Sequence, residues 1–171
     1  MLYAAEGASP EAVDIADVPA IFSPCSSDAA IGDLAVLDLD GDGADEVVLH
    51  VTDVGNDMGG YFVLHQEGGA VYGFRFGYRT FWNLKTDGSF VYSLSVGTEE
   101  GVASLRFTGT DCAMDRLIYG EGEHYYELTR FTVDGRQASR EEYDAAWEAQ
   151  EEKPDAAWTE FTGAGIAELL G

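Results

Sequence analysis

LDLDGDGADEVVL, residues 37–49, joins two apolar runs through a turn holding four aspartates and one glutamate. Before it, Leu34-Ala35-Val36-Leu37 is a short unbroken apolar run, as for a strand buried on both faces. After it, Glu46 to Val51 alternates, with Val47, Leu49 and Val51 on one side. Two strands meeting at a glycine-containing turn set a β reading for the middle of the chain.

The β pattern continues outward. Tyr61–Gln66 and Val71–Tyr78 flank Glu67-Gly68-Gly69, a hairpin signal. In the second of these, Tyr72, Phe74, Phe76 and Tyr78 share one face, and Gly73, Arg75 and Gly77 the other. Thr80–Lys85 and Ser89–Val96 flank Asp87-Gly88, another tight-turn dipeptide. Phe90, Tyr92, Leu94 and Val96 lie on one side of the latter strand. Further strands are predicted at Val102–Thr108 and His124–Val133, the last ending in the turn Asp134-Gly135.

Helical patterns gather at the two ends. Ser9-Pro10-Glu11 has the N-cap, first-position proline and early acid of a short helix, which ends near Pro19. Residues 21–30 read as an irregular connection. Ser139-Arg140-Glu141-Glu142 is a capping box, followed by a stripe of Tyr143, Ala146, Trp147 and Gln150. Lys153-Pro154 ends that helix; a short strand at Trp158–Phe161 and a helical turn at Gly165–Leu170 follow. The expected fold is α+β: a curved antiparallel β-sheet meander with short N- and C-terminal helices packed on one face or edge. A single domain, 1–171, comprises a helical segment 9–30, a β-rich core 31–135 and a helical segment 139–171.

Composition narrows the function. Hydrophobic residues make up 46% of 171, enough for a packed core. The formal charge of −23 repels phosphate backbones and anionic lipid, which sets nucleic acid aside as a partner. Acidic pairs such as Glu99-Glu100, Glu141-Glu142 and Glu151-Glu152 read as solvated faces. No apolar run is long enough to span a membrane. The first five residues lack the basic region of a signal peptide, so Met1 fits a start placed after a removed leader. Cys25 and Cys112 fit one bridge or two buried thiols equally well. His50, His65 and His124 have neither helical partners nor a Cys-x-x-Cys companion, so they do not form a zinc pattern. No nucleophile elbow, phosphate loop or dinucleotide fingerprint occurs, and no catalytic residues are assigned.

The acidic turn is the informative feature. Asp38, Asp40 and Asp42 occupy alternate positions, Gly43 is sixth from Asp38 and Glu46 ninth. Carboxylates this close repel one another, and a divalent cation relieves the repulsion. Calcium takes about six to eight oxygens at adaptable angles. Gly43 permits the bend that brings the Ala44 carbonyl inward. The twelfth position, where an EF-hand places its closing acid, is Leu49, so an EF-hand is excluded.

The pattern D-x-D-x-D-G-x-x-E resembles the calcium loop of FG-GAP-type repeats. The resemblance implies a structural Ca²⁺ held by Asp38, Asp40, Asp42, the Ala44 carbonyl and Glu46. It covers about 20 residues and occurs once, so the chain is not a propeller of such repeats. More widely, AVLDLDGDGADEVVL, YRTFWNLKTDGSF and ASREEYDAAW resemble an uncharacterised family of secreted proteins and lipoproteins from gut bacteria. That resemblance implies an extracellular or surface-anchored domain with no known activity. The expected function is therefore a monomeric calcium-binding domain for binding or surface display, with a glycan or protein ligand. The alternative is a carboxylate-dependent hydrolase or a carbohydrate-binding module using the aromatic face, including Tyr72, Trp82, Trp147 and Trp158.

Overall fold

The structure, a computed structural model, describes residues 1–4, 9–23, 28–53, 59–95, 98–124 and 127–170. Cys25, Asn56, Asp57 and Val96 lie outside the described residues, and with them the question of a Cys25–Cys112 bridge.

In chain order the elements are β1 (Leu2–Tyr3), β2 (Glu11–Ala12), a 3₁₀ turn (Ile15–Asp17), α1 (Val18–Phe22), β3 (Ala29–Leu37) and β4 (Glu46–Asp53). Then come β5 (Gly60–Glu67), β6 (Ala70–Gly77), β7 (Phe90–Ser95), β8 (Glu99–Thr108), β9 (Asp111–Glu121) and β10 (Arg130–Val133). The chain closes with β11 (Arg136–Ala138), α2 (Arg140–Glu151), β12 (Thr159–Glu160) and α3 (Gly163–Leu170). This is α+β, as expected, with the strands distributed over two sheets of order β12-β3-β4-β5-β6-β1-β2 and β11-β10-β9-β8-β7. The chain divides into two compact units. The first comprises Met1–Asp38, Gly43–Tyr78 and Ala157–Gly171, and the second Leu39–Asp42 and Arg79–Ala156.

The first unit holds the seven-stranded sheet. As the alternation of β4 predicts, Val47, Leu49 and Val51 face one core, where Leu49 and Val51 pack with Leu34, Phe62 and the α1 residues Val18 and Phe22. Fully burying each such side chain contributes about 1.5–3 kcal/mol. Gly68 and Gly69, at φ +59° and +82°, form the β5–β6 turn that their dipeptide announced. Gly73 is required by packing: a Cβ there would lie 2.4 Å from the Phe62 ring. The N-terminal helix begins later than expected. Asp14, whose side chain accepts from the Ala16 amide, caps the 3₁₀ turn, and Pro19 stands in the first turn of α1 instead of ending a helix. Residues Glu11–Ala12 pair with β1, and β1 runs parallel to β6, a non-local pairing with no local signal.

The second unit holds the five-stranded sheet with α2 on β9 and β10. Both hydrogen bonds of the Ser139–Glu142 capping box form. Tyr143 packs among Val91, Val102 and Ile118, and its ring lies 4.8 Å from that of Phe131. Beyond the helix, Lys85 Nζ pairs with Asp155 at 2.7 Å, Lys153 Nζ with Asp87 at 2.8 Å, and Gln150 donates to Ser89 Oγ. These bonds fasten the end of α2 to the Asp87–Gly88 turn. Leu39 is buried there, with its backbone 2.6 Å from the place a Gly88 Cβ would occupy.

Three strand expectations change. Asp111–Glu121 is the longest strand, although its charged residues masked any alternation. Thr80–Lys85 forms two isolated bridges, Trp82 to Val91 and Lys85 to Asp155, with Asn83 between them in a left-handed conformation at φ +52°. Of the strand expected over His124–Val133, residues 125 and 126 lie outside the described residues, and β10 forms its end, turning through Asp134 and Gly135 into β11. The aromatic row of β6 is mostly half-buried; Tyr78 is the member exposed to solvent.

Candidate metal centre

Leu37 and Glu46 are register partners, so β3 and β4 hold the acidic turn at both its ends. Within it the side chains alternate. Leu39 turns inward and is buried, while Asp38 and Asp40 are half-buried and Asp42 is exposed. One carboxylate oxygen from each of Asp38, Asp40 and Asp42 lies within 4.8 Å of the others. Among the described residues, no other set of three or more acids, histidines or cysteines converges so closely.

The backbone makes this convergence. Gly41 and Gly43 sit at φ +80° and +90°, where a side chain is strained, although nothing would crowd a Cβ at either place. The curl directs the Gly43 amide to Asp38 Oδ2 at 2.9 Å and the Asp42 amide to Asp40 Oδ1 at 3.2 Å. Each carboxylate has two oxygens with several lone pairs, so an amide bond does not exhaust it. The donor set is all oxygen and anionic, which fits a hard cation and offers no paired acid and base for proton transfer.

Ala44 is exposed at the tip, as is Asp45. Glu46 is 1% exposed and is not one of the converging acids. Its Oε1 lies 2.9 Å from Nδ1 of His65, itself buried, on β5. The cause is pleating. Glu46 opens β4 on the same face as Val48, and β5 presents Val63 and His65 there, buried like Val48. His65 was missed as a partner of this region because 19 residues separate it from Glu46. Asp53, at the end of β4, accepts from the Ser23 hydroxyl at 2.7 Å.

No protein-family model matches this chain, and neither a curated protein nor a solved structure does. The described residues include no helix long and apolar enough to cross a membrane.

Proposed function

We propose that this chain is a calcium-stabilised extracellular domain that serves binding or display, and that the turn at residues 38–46 holds its ion. The observation that carries the reading is the convergence of Asp38, Asp40 and Asp42 on a turn bent by two left-handed glycines. Calcium suits this donor set because it accepts many oxygens at flexible angles, waters included. The Ala44 carbonyl adds a protein oxygen, and Glu46, whose carboxylate lies 2.9 Å from His65 Nδ1, closes the turn. The formal charge of −23 concentrates cations around the chain. Calcium sites of extracellular modules work at dissociation constants of about 10⁻⁴–10⁻³ M. Export, as a secreted protein or lipoprotein, is part of the same proposal.

Isothermal titration of chelator-stripped protein with calcium chloride tests it. One ion per chain is expected, with binding abolished in an Asp40→Asn, Asp42→Asn double variant. Absence of binding at millimolar calcium, or equal binding by that variant, would defeat the reading.

A further inference from the structure

A second cluster lies along β4 away from the acidic turn, within the first unit. His50 and Tyr61 are cross-strand partners whose rings stack at 4.9 Å and 18°. Trp158 sits 6.2 Å from the His50 ring and 5.9 Å from that of Tyr61. It arrives there because β12 pairs with β3, matching Glu160 to Asp33. Asp33 Oδ2 lies 3.6 Å from His50 Nδ1, and both side chains reach solvent. Trp158 is 38% exposed, unlike Trp82 and Trp147, which pack on the core of the second unit. From His50 a groove of about 260 Å³ passes Thr52 and reaches the exposed Tyr78. That is smaller than the roughly 300–1,000 Å³ of clefts for drug-sized ligands.

We infer that this cluster binds a neutral carbohydrate. A sugar ring has one apolar face of C–H groups and a rim of hydroxyls. An exposed aromatic ring covers the first, and hydrogen-bonding groups beside it take the second. Trp158 and Tyr78 supply exposed aromatic surface at two places, suited to a chain of sugar units more than to one. Asp33, His50 and Thr52 supply an acceptor, an imidazole and a hydroxyl between them. An apolar peptide would leave the Asp33 carboxylate without compensation, which is costly once water is excluded. An anionic ligand would meet a chain of net charge −23. The site does not depend on the ion at the acidic turn.

Tryptophan fluorescence and calorimetric titration with cellohexaose, xylohexaose, maltohexaose and chitohexaose test the inference, with tetramethylammonium chloride as a cationic comparison. At least one sugar should bind saturably and shift the emission. Trp158→Ala and Asp33→Asn should each weaken that binding about tenfold or more, with the melting temperature of both variants close to that of the parent. Failure of all four sugars to bind would overturn the inference. So would sugar binding that survives both substitutions, or Trp158-dependent binding of tetramethylammonium alone.

Discussion

Nδ1 of His65 lies 2.9 Å from Oε1 of Glu46, and both side chains are buried. The pair ties the first residue after the acidic turn to the neighbouring strand β5. Removing one member leaves a buried polar group without this bond, at a cost of about 1–3 kcal/mol. His65→Ala should therefore lower stability by that amount in urea denaturation. A change below about 0.5 kcal/mol would show that the pair contributes little.

The same pair bears on the ion. Groups that hold a metal's carboxylate from behind typically influence affinity tenfold or more. His65→Gln should weaken calcium binding about tenfold while preserving the β3–β4 register. An unchanged dissociation constant, read by calorimetry, would remove Glu46 from the ion's surroundings.

Tyr143 offers a prediction of the opposite kind. Its hydroxyl, buried beside the Trp147 indole, makes no well-formed hydrogen bond among the described residues, and neither does that of Tyr92. Tyr143→Phe should cost less than about 1 kcal/mol at neutral pH, whereas Tyr143→Ala should cost about 3–5 kcal/mol through loss of packing. Burial pushes the Tyr143 phenol up to about 12 from 10.0 and raises Tyr92 as well. A folded value above the unfolded one means that stability is complete below pH 10 and falls as pH rises from 10 to about 12. Tyr143→Phe should flatten this alkaline limb, by at most about 1.4 kcal/mol per pH unit for one proton. An alkaline limb as steep as the parent's would contradict the assignment.

Gly88 combines a φ of +77° with a backbone contact that leaves no space for a Cβ. Gly88→Ala should destabilise by about 1–3 kcal/mol through strain alone, and more if Leu39 is displaced. Thermal melting of Gly88→Ala beside Gly135→Ala separates the two causes, because Gly135 has φ +72° and nothing near its Cβ position. Equal losses would deny the contact with Leu39 any role.

Local chemistry made part of this structure readable. The Gly68-Gly69 turn, the Ser139 capping box and the alternation of Val47, Leu49 and Val51 each act within a few residues, and each formed as expected. The spacing of Asp38, Asp40 and Asp42 likewise gave a convergent cluster. What escaped depends on distant parts of the chain. β9 is stabilised by pairing with β8 and by cross-strand ion pairs such as Arg106 with Asp115, so its own sequence shows no apolar face. The helix expected at Ser9 lost to pairing with β1, a competition that propensity does not register. Glu46 turned inward because His65 awaits it across the sheet, a relation without any local spacing signal.

The most direct test of the central claim is thermal unfolding of the chelator-stripped protein with and without calcium. At about a hundredfold excess over the dissociation constant, the ion should add roughly 2.7 kcal/mol, which for a chain of this size raises the melting temperature by about 5–10 °C. Asp40→Asn should abolish the rise. Identical melting curves with calcium and with chelator would contradict the account.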